Sequence, residues 1–378
     1  MVKTFLPYPG GQSPIIKDIM ENMPPDKKYN KVIEGCFGGG AFTFAMLTLK
    51  LNKEYAGIEI DSSLTNYYRV VKDVEGCKTI NRLMHRQLPT FEELQKRYNA
   101  SYDDPIESAR DTILLKVASY NSSAKSIKPG HTVEDFRRIA LAHIKEGHKK
   151  LRYVTIHNGH FRAFLHLDGE DVLWFFDPPY HRVGRKHYRY CFTVKDYVTL
   201  RDFARTSKGY VMITLNDTHF VRRLYKGFRI EEIDSKATGN HILILNYNAD
   251  GTRISVPEYD DDYVRLLCEC EEEDTLHIEF LRERLLKMYS TLLNEGCSPL
   301  DAGNIIREDF RAFGAGRLAY IRDILPSEAK HSEKARDQFA RISSQKASSI
   351  QGMESKGTEP PTLKLSCGDL VLWELKLS

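Results

Sequence analysis

Much that would betray a function at first sight is missing from this 378-residue sequence. No apolar run approaches the roughly 20 residues needed to cross a bilayer, so no membrane partner is expected. The first residues, Met1-Val2-Lys3-Thr4-Phe5-Leu6-Pro7, hold no long apolar stretch of the secretory kind. The seven cysteines are scattered. Cys268 and Cys270 form a CxC pair, but no second pair or histidine cluster lies at metal-ligand spacing, so no metal is expected. Reduced thiols without an export signal fit a cytoplasmic protein. There is no GxGxxG fingerprint, no Gly-Lys-Ser/Thr after a glycine run, and no PD-(D/E)xK nuclease motif.

What is present describes a soluble globular chain, 41% hydrophobic and 28% charged, too long for one ordinary domain. The net charge of +3 hides an asymmetry. Residues 1–250 carry 38 Lys+Arg against 29 Asp+Glu, whereas residues 251–378 carry 17 against 23. The basic front part suits a polyanion, whose phosphates release counterions when neutralised. The acidic rear part does not.

The first 80 residues read as α/β. Lys31–Glu34 predicts a short buried strand running into the turn Gly35-Cys36-Phe37-Gly38-Gly39-Gly40, with a helix over Ala41–Leu51, a second strand over Glu54–Ile60 and a helix from Ser62 to Val74. From Thr79 to Lys150 the chain turns polar and helical, with a loop at 121–130, and reads as an insertion. Strand signals return at Tyr153–Ile156, Val172–Phe176, Tyr210–Leu215 and His241–Tyr247. Helical patterns then cover about 275–295 and 300–324, residues 343–361 form a linker, and Leu363–Leu377 can make a strand pair.

Two segments carry chemistry. A strand, a glycine turn and a helix make a nucleotide cradle, because glycines admit a ligand to backbone N–H groups at a helix N-terminus. Glu59 falls about 20 residues after the glycines, where an acid takes ribose hydroxyls. Glu34, ending the first strand, is placed to meet a cationic part of a cofactor. The second segment is Trp174-Phe175-Phe176-Asp177-Pro178-Pro179-Tyr180. Two prolines fix the local φ and remove two backbone donors. The carboxylate and free carbonyls therefore project beyond the strand end, where open α/β sheets bind ligands. An exocyclic amino group on a ring is a poor nucleophile, since its lone pair is delocalised. Asp177 and the Pro178 carbonyl can each accept one of its N–H bonds and free that lone pair, by positioning and electrostatics alone. Tyr180 offers a flat face on which a flipped base can stack.

These motifs resemble the Dam-type (D12 class, alpha group) adenine-N6 DNA methyltransferases. Phe5-Leu6-Pro7-Tyr8-Pro9-Gly10-Gly11-Gln12-Ser13 is similar to their N-terminal segment, Phe37–Gly40 to motif I, Ile58–Asp61 to motif II and Asp177–Tyr180 to motif IV. Tyr188–Phe192 with Asp196 and Leu200, and the closing Asn246-Tyr247, are similar to later stretches. The resemblance implies a Rossmann-like S-adenosylmethionine-dependent core with a helical target-recognition insertion and a mainly helical extension. It implies a catalytic domain over 1–80 and 151–250, the insertion over 81–150 and an extension over 251–378. It further implies methylation of adenine N6 in duplex DNA by Asp177, Pro178, Pro179 and Tyr180. Tyr8, Gly10, Gly11, Glu34, Phe37, Gly38, Gly39, Gly40, Glu59, His160 and Asp177 would face S-adenosylmethionine. Gln12 stands where the family has lysine, and His160 where it has an aspartate toward the cofactor adenine. A cytosine-N4 methyltransferase and a non-catalytic nucleic-acid-binding protein with the same fold are the alternative readings.

Basic residues follow the Asp-Pro-Pro-Tyr turn, and Arg182, Arg185, Lys186 and Arg189 are expected on DNA phosphates. Lys125, Lys128 and Arg137 in the insertion are further candidates, with Arg138 beside them. The extension is expected to serve self-association or contact with a restriction nuclease rather than DNA.

Overall fold

A computed structural model describes residues 15–98, 103–122, 126–181, 190–235, 239–258, 260–272, 278–310, 325, 362–367 and 370–376. The chain divides into two compact units, Met1–Asp260 and Asp261–Ser378.

The first unit is built on seven strands: β1 (Lys31–Glu34), β2 (Glu54–Glu59), β3 (Val154–Asn158), β4 (Val172–Phe176), β5 (Tyr210–Asn216), β6 (Arg229–Ser235) and β7 (Gly239–Leu245). Their order is β3-β2-β1-β4-β5-β7-β6. The first five run parallel, and β7 inserts antiparallel between β5 and β6. This is a Rossmann-like sheet whose winding reverses between β1 and β4. The crevice beyond the carboxyl ends of those two strands is the switch point where such sheets take ligands.

Local sequence explains the central strands. All five residues of β4 are buried, as a strand covered on both faces requires. Gly35 has no side chain because the Phe176 ring lies where its Cβ would be, 2.1 Å away. β6 escaped the sequence reading. Arg229-Ile230-Glu231-Glu232-Ile233-Asp234-Ser235 is rich in charge, and only an edge strand, paired on one side, tolerates that.

Helices fill the segment between β2 and β3. Asp61 caps the helix Ser62–Lys72, and Asp73 ends it and caps the next, Val74–Met84, by accepting from Gly76 N at 2.7 Å. Asp104 and Pro105 start the helix Pro105–Ala118, in which every residue from Ser108 onward is buried. Leu114 of that helix and Ile144 of the helix Arg137–Leu151 share one apolar core with Val32, Phe175 and Leu243 of the sheet.

The second unit holds the helices Asp262–Glu272, Ile278–Asn294 and Pro299–Phe310 and the antiparallel pair β8 (Thr362–Cys367) and β9 (Leu370–Lys376). Tyr263 donates to the fully buried Asp309 at 2.6 Å, joining the first and third of these helices. The helix Asp262–Glu272 lay hidden in an acidic run. Residues 311–324 and the linker 343–361 lie outside the described residues. No described helix is long and apolar enough to cross a membrane.

Candidate active site

Three strand ends make the site. β1 ends at Glu34 and passes into the glycine turn, whose Gly38 and Gly40 take φ of +47° and +65°, values that favour glycine. Gly40 donates back to the Phe37 carbonyl at 2.6 Å, and the helix Ala41–Thr48 begins. The Phe37 ring turns inward, 1% exposed, and packs edge-on against Phe44 and Tyr68. Gly57 on β2 makes room for it. Phe37 therefore shapes the turn through its backbone and its packing. The Tyr68 hydroxyl donates to the Gly38 carbonyl and ties the turn to the helix Ser62–Lys72.

Two buried carboxylates flank that turn. Glu34, 2% exposed, accepts from Thr43 N at 2.9 Å. Burial pushes its pKa up to about 8, with the negative Asp177 adding to the rise and Thr43 opposing it. Glu59, 3% exposed, accepts from Gly38 N at 2.9 Å and Asp61 N at 2.8 Å, so one carboxylate joins the end of β2 to the glycine turn. Burial raises Glu59 to about 7 despite these bonds and the Lys116 charge. The half-buried Cys36 lies in the same turn. Burial, then the charges of Asp177, Glu59, Glu34 and Asp196, drive its thiol pKa upward, away from the thiolate. A site with ionisation-resistant carboxyls gains most from a ligand that brings positive charge.

β4 delivers the Asp-Pro-Pro-Tyr turn to the same crevice, and three elements hold it. Thr214 on β5 donates through Oγ1 to Asp177 Oδ1 at 2.9 Å. Tyr197 of the helix Val194–Thr206 donates to the Pro179 carbonyl at 2.5 Å. Tyr180 Oη lies 2.7 Å from His241 Nδ1 on β7. None of these partners was singled out in the sequence. Thr214→Val keeps the shape of the side chain and removes the hydroxyl. It is expected to lower the melting temperature by a few degrees, the worth of one buried hydrogen bond, measured by thermal unfolding.

His160 follows β3. Its Nε2 lies 3.1 Å from Asp196 Oδ1, and its Nδ1 accepts from Arg162 N at 3.4 Å. Both ring nitrogens are thus engaged within the protein, and the ring lies 6.2 Å from Phe192 in a stacked array that includes Phe161. Asp196 also binds Arg162 at 2.6 Å and closes a capping box with Thr193. Burial opposes its ionisation, but the bonds from His160 and Thr193 and the Arg162 charge outweigh it, and its pKa falls.

The structure thus gathers Glu34, Phe37, Gly38, Gly39, Gly40, Glu59, Asp177, Pro178, Pro179 and Tyr180 at the ends of β1, β2 and β4. Lys128 and Arg137 lie elsewhere, in the helical segment. Lys128 donates to the Val117 carbonyl at 3.1 Å and sits 4.9 Å over the Phe136 ring. Arg137 holds the Arg86 carbonyl at 2.9 Å and Glu134 at 2.7 Å. Tyr8, Gly10, Gly11, Lys125, Arg182, Arg185, Lys186 and Arg189 lie outside the described residues.

Residues 8–238 match the family described as D12 class N6 adenine-specific DNA methyltransferase. The chain is 27% identical over 288 residues to the Type II methyltransferase M.MjaIII of Methanocaldococcus jannaschii, across 65% of this chain and 99% of that protein. The solved rRNA methyltransferase aviRa from Streptomyces viridochromogenes matches 64% of this chain and 82% of its own at 12% identity and a TM-score of 0.29. An uncharacterized protein from Listeria monocytogenes serotype 4b matches 83% of this chain and 99% of its own at 9% identity and a TM-score of 0.28. At such scores neither structural likeness bears on function.

Proposed function

Because this chain belongs to the D12 class of N6 adenine-specific DNA methyltransferases, we propose that the crevice beyond β1, β2 and β4 binds S-adenosylmethionine and receives an adenine swung out of duplex DNA. The observation that carries this reading is the Asp-Pro-Pro-Tyr turn, held by Thr214 and Tyr197 beside two buried carboxyls.

The residues present fit the cofactor. Glu34 and Glu59 resist ionisation; a cation beside Glu34 and hydrogen-bond donors beside Glu59 would each offset that cost. A carboxylate has about four acceptor sites, and Glu59 spends two on Gly38 and Asp61, which leaves acceptors for ribose hydroxyls. When bound, S-adenosylmethionine supplies a methyl group activated by a positively charged sulfur. Asp177 and the Pro178 carbonyl accept the two amino hydrogens of the target adenine. The nitrogen is drawn toward a tetrahedral shape, and its lone pair is freed for the methyl group. Tyr180 stacks on the base, which must leave the duplex to reach this pocket. His160, held by Asp196, contributes a ring face beside the cofactor rather than a free hydrogen-bonding edge.

Arg182, Arg185, Lys186 and Arg189 take phosphates around the flipped nucleotide, and Tyr8, Gly10 and Gly11 complete the cofactor pocket. Lys125, Lys128 and Arg137 take phosphates only on exchanging their present partners for DNA. Residues 81–150 read the target. The acidic residues 251–378 serve a protein contact, with a second copy or a partner nuclease.

Labelled methyl transfer to unmethylated genomic DNA, followed by nucleoside analysis, tests the reading. Label in N6-methyladenine is expected. Label in N4-methylcytosine, or none from a cofactor-binding protein, would overturn it.

A further inference from the structure

β5 and β7 pair antiparallel, with Thr214 opposite Leu243 and Asn216 opposite His241. Directly opposed residues, and residues two apart along one strand, project from the same face of a sheet. Thr214, Asn216 and His241 therefore share one face, and all three grip the catalytic turn. Thr214 holds the Asp177 carboxylate at 2.9 Å. Asn216 donates through Nδ2 to the His181 carbonyl at 3.0 Å, just past the turn. His241 Nδ1 meets the Tyr180 hydroxyl at 2.7 Å, with the two rings 5.2 Å apart and inclined at 64°.

The two prolines fix only the backbone of the turn. The Tyr180 ring has two side-chain torsions of its own, which the prolines do not set. A tether at the far end of the ring selects one plane. His241 is 4% exposed and rooted in a paired strand, so the tether itself does not swing. With its proton on Nε2, the imidazole accepts the phenolic hydrogen at Nδ1. We infer that His241 is a positioning residue that fixes the plane of the Tyr180 ring on which the flipped adenine stacks. The inference rests on the proposed role of Tyr180 in base stacking.

The test uses the full chain and four variants: His241→Leu, His241→Asn, Tyr180→Phe and the double variant Tyr180→Phe/His241→Leu. Asparagine places an acceptor oxygen at about the position of Nδ1. Methyl transfer to unmethylated genomic DNA gives kcat, and calorimetry gives cofactor affinity. Fluorescence of 2-aminopurine at the target position of an oligonucleotide reports how the flipped base is held. His241→Leu and Tyr180→Phe are each expected to lower kcat about tenfold, with cofactor affinity unchanged and the fluorescence change on binding altered. His241→Asn is expected to stay within about threefold of wild type. The double variant is expected to be no worse than either single one, since one shared bond is lost only once.

Wild-type turnover by His241→Leu, losses that multiply in the double variant, or an asparagine variant no better than leucine would each overturn the inference. Should His241→Leu fail to fold, Tyr180→Phe, which loses a single oxygen, carries the same comparison with His241→Asn. Asp177→Ala keeps the two claims apart. If it retains activity close to wild type, the proposed site is wrong. If it is inactive while His241→Leu is not, only the present inference fails.

Discussion

Asp177→Ala is expected to lower kcat by about 100- to 1,000-fold while leaving cofactor affinity within about threefold of wild type, the size of effect that follows loss of one preorganised electrostatic partner. The reason lies in where the charge develops. In the proposed mechanism the amino nitrogen becomes positive as the methyl group arrives, and Asp177 would be the fixed negative group beside it. Thr214 holds that carboxylate at 2.9 Å, so it pays no reorganisation during the reaction. Alanine keeps the proline-stiffened backbone and the Pro178 carbonyl, hence one acceptor survives and some turnover with it. Rapid-quench rates with saturating cofactor, beside calorimetric titration of the same variant, check both halves. A parallel loss of binding and turnover would move Asp177 into the cofactor pocket alone.

Glu34→Gln is expected to push the protein in two opposite directions. Above the ordinary carboxyl value of 4.5 the unfolded chain ionises this group, but the folded, cofactor-free protein keeps it protonated up to about pH 8. Folding stability therefore drains away as pH rises from about 4.5 to about 8. Glutamine removes that dependence. The cofactor-free variant should melt several degrees higher than wild type at pH 8, on the order of a few kcal/mol, and hardly differ near pH 5. Cofactor affinity should instead fall by about tenfold or more, because the cation loses its counter-charge. In the wild type, affinity should rise from about pH 6 to about pH 8 with release of a proton, since the cation favours the ionised carboxylate. Melting curves at the two pH values and titrations in buffers of different ionisation enthalpy measure these quantities. Equal melting temperatures at pH 8 would show that Glu34 is already ionised without cofactor.

Local chemistry explains which parts of the site could be read from the sequence. The glycine turn and Glu59 were legible because a strand, a tight turn and the next strand lie within one short stretch. The place of Asp177 at the carboxyl end of a central strand was legible because an apolar run ends in two prolines. The supports were not. Tyr197, Thr214 and His241 lie 18, 37 and 61 residues from the turn residues they hold. Only the insertion of β7 beside β5 brings the last two onto one face. His160 was readable as a position, but its engagement by Asp196 was not, since that pair forms through a helix cap some way along the chain. The resemblance turns Phe37 toward the cofactor, whereas its ring is core. Lys128 and Arg137 read as free cations, and the fold gives each a carbonyl or a carboxylate. Asn246 closes a motif, and its role is structural: it accepts from Val211 N at 2.8 Å and donates to the Ala204 carbonyl at 2.9 Å, stitching β5 to the helix behind it.

The most direct test of the central claim is modification-sensitive long-read sequencing of DNA from a methylation-free host that expresses this chain, beside the same host expressing Asp177→Ala. N6-methyladenine at one short recurrent sequence in the first, and at most a small fraction of those sites modified in the second, is the expected result. Adenine methylated to the same extent in both, or N4-methylcytosine in the first, would contradict the assignment of this turn as the adenine-methylating site.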